Sequence, residues 1–125
     1  IVDLGVPADN QRIGFFLVQN GFGLYGNLPN DLSFVVPGTS VVADVDTGLP
    51  LVLHSASLGQ LNGAPVFHSF STLNPGGANQ VLSGTASGGR ELLIGFEDLA
   101  RATGDNDFQD AVIRVATDTD GLLVA

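Results

Sequence analysis

The chain contains neither cysteine nor lysine. Without cysteine there is no disulfide framework and no thiolate metal site, and a bound ion could serve as the staple of a small fold instead. Without lysine, the only basic side chains are Arg12, Arg90, Arg101 and Arg114, set against thirteen acidic residues for a net charge of −9. That balance argues against a nucleic-acid surface or a patch for anionic membranes. It also rules out a phosphate-binding loop ending in Gly-Lys. No apolar run approaches the ~20 residues that span a bilayer, so membrane insertion is not expected. The first residues lack the basic region and small-residue cleavage site of a signal peptide, and Ile1 is expected to be a mature or excised start of a module from something longer.

A hydrophobic fraction of 44% with 14% charged residues over 125 positions fits one folded domain, 1–125. A chain of this size buries roughly two-thirds of its unfolded surface. Seventeen glycines and six prolines separate short apolar runs, the punctuation of an all-β domain. Strands are predicted at 13–19, 32–36, 41–45, 49–55, 66–71, 80–85, 91–96, 111–117 and 122–125. Runs such as Ile13 to Val18 and Leu92 to Phe96 are almost continuously apolar, as in strands covered on both faces or in a sandwich whose outer face is shielded by loops. Residues 111–116 alternate, with Ala111, Ile113 and Val115 on one face and Arg114 on the other. No segment is long enough for the helix of a parallel crossover. The expected fold is therefore all-β, a two-sheet antiparallel β-sandwich of jelly-roll type with at most one very short helix, placed at Glu97 to Thr103 before Gly104. The Gly/Ser/Thr-rich stretch from Ser83 to Gly89 reads as a turn.

Five of the thirteen acidic residues, Glu97, Asp98, Asp105, Asp107 and Asp110, fall within fourteen positions. Hard cations such as Ca²⁺ take six to eight oxygen ligands, and alternating Asp and Asn near a glycine let a short loop wrap one ion. Asp105, Asp107 and Asp110 are the preferred ligands, with Glu97 or Asp98 joining them from the end of the preceding strand and a carbonyl near Gln109 completing the shell. The plainer reading of the cluster is a solvated acidic turn. Asp44 with Asp46, and Asp118 with Asp120, read as hairpin ends.

The segment 19–31 mixes amides, a carboxylate and aromatics on a glycine-rich frame, so Asn20, Tyr25, Asn27 and Asp31 are candidate ligand-binding residues, for instance toward a glycan. Its plainer reading is a long surface connection with Phe22 tucked into the core. His54 and His68 lie in apolar strand segments and read as core histidines satisfied by one hydrogen bond, not as zinc ligands. There is no G-x-S-x-G nucleophile elbow. Glu91 and Glu97 on one strand would be about 20 Å apart, too far for either glycosidase geometry.

Four segments taken in order, Gly14 to Gly21, Ser71 to Gly77, Leu93 to Leu99 and Asp105 to Asp110, resemble the bacterial family known as domain of unknown function 4114. The pair Gly95-Phe96-Glu97-Asp98-Leu99 and Asp105-Asn106-Asp107-Phe108-Gln109-Asp110 is the most specific part. The resemblance implies a calcium-bound β-sandwich from exported proteins, including repeats-in-toxin adhesins. It places the family's acidic motif on Glu97, Asp98, Asp105, Asp107 and Asp110, and its leucine-asparagine turn on Leu73-Asn74. The chain departs from the pattern at Asn79-Gln80, where many relatives are expected to have a histidine. The expected function is a non-enzymatic, calcium-stabilised module of an extracellular or cell-surface bacterial protein, used for adhesion or ligand binding. The alternative is a structural subunit of a surface filament or layer, self-associating through edge strands.

Overall fold

The computed structural model describes residues 2–43, 51–98 and 110–117. Among them are eight strands and one short α-helix: β1 (Phe16–Val18), α1 (Gly21–Tyr25), β2 (Leu32–Val35), β3 (Val52–Ser55), β4 (Gly59–Gln60), β5 (Val66–His68), β6 (Val81–Ala86), β7 (Glu91–Phe96) and β8 (Ala111–Ala116). They form three small antiparallel sheets, β1-β5, β2-β3-β4 and β6-β7-β8. The all-β class expected from the sequence therefore holds.

The largest sheet is a meander whose pairings set both of its faces. Val81, Phe96 and Ala111 stand opposite one another, as do Ser83, Ile94 and Ile113. The shared face carries the core: Val81, Ile94 and Phe96 are buried together with Phe67 of β5, and Phe15, Leu17, Leu92, Ala111 and Ile113 pack around them. Burying one such side chain contributes roughly 1.5–3 kcal/mol. Alternation then sends Leu82, Leu93, Val112 and Arg114 to the opposite, exposed face. The pattern predicted for 111–116 is the one observed.

Leu17 and Phe67, paired between β1 and β5, join this core, while the next pair, Phe16 and His68, turns away from it. Those two side chains meet Phe34 of β2, whose ring lies edge-on to Phe16 at 4.9 Å and 4.8 Å from the His68 ring. The β1-β5 ribbon thus has one face on the large sheet and the other against the second sheet. In that second sheet Val35 and Leu53 are 99% shielded, with Leu61 buried beside them.

Several expected elements are shorter or differ. The strand predicted from Ile13 begins at Phe16, and the one predicted to reach Ser71 ends at His68, before a 3-10 turn at Ser71–Leu73. The strand predicted at 41–45 is reduced to a single bridge from Val42 to Val35, and its last two residues lie outside the described ones. The predicted strand 122–125 also lies outside them. Glu97 and Asp98 are in no helix where the short one was expected, and Glu97 carries on the ladder with Gln80; residues 99–103 of that prediction are not among the described ones. The turn predicted from Ser83 is confined to 87–90, because Ser83 to Ala86 complete the ladder with β7.

Gly14 interrupts the apolar run at 13–18 for a steric reason. A Cβ there would lie 2.5 Å from the Phe70 ring. The other side of that ring economy is cationic: the Arg12 guanidinium sits 5.0 Å from the Phe70 centroid, a contact worth about 0.5–1 kcal/mol at an exposed site.

Candidate functional site

The β7 strand ends on Phe96, which is 1% exposed, and the next two residues carry carboxylates. The ladder continues past the strand: the Glu97 N–H donates to the Gln80 carbonyl at 3.0 Å, and the Gln80 side-chain amide donates to the Glu97 carbonyl at 3.1 Å. Gln19, just after β1, donates its amide to the Asp98 carbonyl at 2.8 Å. Two glutamine side chains from separate parts of the chain therefore hold consecutive peptide groups.

Asp110 arrives from the other side. Phe96 pairs with Ala111, so one further step along the ladder puts Asp110 opposite Glu97. Its Oδ2 accepts a hydrogen bond from the Asp98 N–H at 3.0 Å. Carboxylate oxygens of Glu97, Asp98 and Asp110 lie within 4.8 Å of one another. Glu97 is fully buried, Asp98 half-buried and Asp110 exposed, so the cluster opens to solvent on one side only. Like charges at this distance repel by roughly 1 kcal/mol even in bulk water and by more at lower effective dielectric. A hard cation reverses the sign of that interaction, and an all-oxygen donor set fits such an ion. Asp105 and Asp107, the other two ligands expected from the sequence, lie outside the described residues, as do Asp44, Asp46, Asp118 and Asp120.

Of the four candidate ligand-binding residues in 19–31, Tyr25 and Asp31 hold neighbouring segments of the fold. Asn20 takes a left-handed backbone, φ 48°, and precedes α1. The Tyr25 hydroxyl accepts the Gly63 N–H at 2.8 Å. Asp31 accepts the Ser55 hydroxyl at 2.8 Å and the Ser57 N–H at 2.9 Å. The Ser55 hydrogen bond, helped by Ser57, holds its carboxyl below the usual range. Asn27 is exposed. Among the described residues no hydrogen bond joins two of these four. Phe22 is 76% exposed, which corrects the expectation that it enters the core; α1 turns it outward while Gly21 takes the buried position.

Asn74, in the leucine-asparagine turn, is 4% exposed and bonds at three points. It accepts the His68 N–H at 2.7 Å and donates to the carbonyls of His68 and Ala78, both at 2.9 Å. The side chain stands in for a neighbouring strand. The spacing of residues predicted neither this staple nor the clamps from Gln19 and Gln80, whose partners are distant in sequence.

His68 is buried as expected, with its ring against those of Phe34 and Phe16, and among the described residues no side-chain hydrogen bond holds it. His54 is half-buried on β3, opposite Ser33. Burial lowers the His68 pKa below its ordinary value. The unfolded chain then binds a proton that the folded one refuses, so stability is full above pH ~6.5 and falls as the pH drops below that value toward the folded pKa. Thermal melts at pH 7 and pH 5 should show a loss at the lower pH that is smaller in His68→Leu. Equal losses in the two proteins would assign the effect to other groups.

Glu91 opens β7 and Glu97 follows its last residue, and Glu91 is committed to Arg114 at 2.7 Å and to the Ser87 hydroxyl at 3.1 Å. No helix among the described residues is long and apolar enough to cross a membrane.

The model of one family, described as a domain of unknown function (DUF4114), matches residues 8–118, which takes in both strands that bring the carboxylates together. The chain belongs to the DUF4114 family. No curated protein and no solved structure matches it. The resemblance noted at the Glu97-Asp98 and Asp105 to Asp110 motifs is thereby borne out at the level of the family, and the matched DUF4114 span includes Asn74, Gln19 and Gln80 as well.

Proposed function

We propose that this DUF4114 domain is a non-enzymatic, calcium-stabilised module of an exported bacterial surface protein, a β-sandwich of jelly-roll type that serves adhesion or ligand capture. The observation that carries the reading is the convergence of Glu97, Asp98 and Asp110, brought from two strands into one oxygen-donor cluster with a buried and a solvent-facing side. Ca²⁺ is the favoured ion because it accepts many carboxylate and carbonyl ligands in flexible geometry, whereas Mg²⁺ demands a near-ideal octahedron and dehydrates reluctantly. Asp105 and Asp107 would supply further oxygens. The ion would cancel the repulsion within the cluster and fix the rim where 97–98 meets 110, leaving the neighbouring loops as the surface that meets a glycan or other surface ligand.

The test is capture on a glycan array and on intact cells, in calcium buffer and in EDTA. Retention that requires calcium and is lost in Glu97→Gln is expected. A domain retained by neither surface in either buffer would remove the recognition part of the proposal and leave the ion with a purely structural role.

A further inference from the structure

In the sheet β6-β7-β8, no strand among the described residues pairs with the outer side of β6, whose backbone there is open to another strand. The Glu97 N–H to Gln80 carbonyl bond fixes the alternation of the antiparallel ladder. Residues 80, 82, 84 and 86 point their backbone groups toward β7, and Val81, Ser83 and Thr85 point theirs outward. The Val81 N–H has a long contact, 3.5 Å, to the Asn79 side chain. Ser83 and Thr85 keep outward N–H and C=O groups, and residues 82–85 are all exposed. Edge strands of monomeric proteins are commonly blunted by charge, proline or a bulge. β6 reads Val-Leu-Ser-Gly-Thr-Ala and has none of these along its six residues.

We propose that β6 is the edge through which two copies of this domain pair, antiparallel about a twofold axis at Gly84, extending each three-stranded sheet into one of six. This does not rest on the cation reading. The outward groups of Ser83 and Thr85 can be satisfied by an antiparallel strand only where odd-numbered positions meet. In a second copy that condition is met by Ser83 opposite Thr85 and Thr85 opposite Ser83. Four backbone hydrogen bonds form, the two hydroxyl side chains face each other across strands, and Gly84 meets Gly84 at a non-hydrogen-bonded position, where chains come within about 4.5 Å.

Charge favours the same arrangement in a chain of net charge −9. By formal charge, the hairpin end of this sheet carries Arg90, Glu91 and Arg114, two basic residues to one acidic, and the opposite end carries Glu97, Asp98 and Asp110. An antiparallel partner sets the Arg90 end of each copy beside the carboxylate end of the other. No like charges enter the seam itself. The outer face adds Leu82, which is 64% exposed, close to the joint.

Gly84 makes the proposal testable without disturbing the monomer. A Cβ built there meets nothing within 4 Å, and the residue is not in the left-handed region. Sedimentation over a concentration series should show wild type passing from monomer to dimer mass in the high-micromolar range, as suits an interface below about 1,200 Å². Gly84→Lys, which places two ammonium groups at the axis, should stay monomeric with an unchanged melting temperature. Because the chain has no cysteine, Gly84→Cys supplies a unique thiol at a separation compatible with a disulfide. Val112→Cys, 62% exposed on the outer face of β8, is the control. Rapid oxidative dimerisation of the first and not the second is expected. Wild type that stays monomeric throughout, or equal cross-linking of the two cysteine variants, would overturn the proposal.

Discussion

Millimolar Ca²⁺ added to EDTA-stripped protein is expected to raise the melting temperature by roughly 10 °C, with Mg²⁺ giving much less. Binding at a hundredfold excess over Kd stabilises by about 2.7 kcal/mol, and an unfolding entropy of about 2.1 cal/mol/K per residue converts this to the stated shift for a 125-residue chain. Glu97→Gln is the sharpest probe, because it keeps the shape of a fully buried side chain and removes one of three adjacent charges. The order of stability should then depend on the ion. In EDTA the variant should melt at or above wild type, relieved of repulsion; in calcium it should melt well below. Asp107→Ala, chosen from the sequence motif, should also lose most of the gain. Equal calcium shifts in wild type and both variants, measured by scanning calorimetry on matched preparations, would dismiss the ligand assignment.

Asn74→Ala is expected to cost about 3–5 kcal/mol, the largest single-residue effect outside the apolar core. Three hydrogen bonds disappear, and the His68 N–H and C=O are left in a buried position without their partner. Each abandoned buried group costs roughly 1–3 kcal/mol. The melting temperature should fall by about 10–20 °C on the same entropy scale, in EDTA as in calcium, since Asn74 holds β5 and the following turn and not the carboxylate rim. Asn74→Asp should be nearly as damaging, because a carboxylate cannot donate to the carbonyls of His68 and Ala78. Urea denaturation giving a loss below about 1 kcal/mol would show that the turn relaxes to satisfy those groups itself.

The parts of the fold legible in the sequence were those fixed by side-chain period. Ala111 to Ala116 alternates as read; Glu91 to Phe96 was predicted to the residue from its unbroken apolar run, although Leu93 of that run faces solvent. Elements without such a period escaped. The α1 segment, Gly-Phe-Gly-Leu-Tyr, contains two poor helix formers and forms only five residues of helix after a left-handed Asn20. β4 is two residues long and is defined by its pairing with β3. For the site, the acidic residue types pointed to Glu97, Asp98 and Asp110, and the ladder brings these three together. The supporting amides had no local signature, since Gln80 acts seventeen positions away and Gln19 seventy-nine. The exposure of Phe22 was misread for a related reason: hydrophobicity alone does not say which way a short helix turns.

The reach of Gln19 to the Asp98 carbonyl also bears on when the carboxylate cluster comes into being. The β6-β7-β8 meander can zip from local pairings, but the peptide that presents Asp98 is tethered by a residue that entered the chain 79 positions earlier. Closing so distant a contact is slow compared with hairpin formation. In a refolding experiment, uptake of an ion by these residues would therefore lag the appearance of strand signal and keep pace with the docking of β1, and a bound ion would then serve as a clock for completed tertiary assembly.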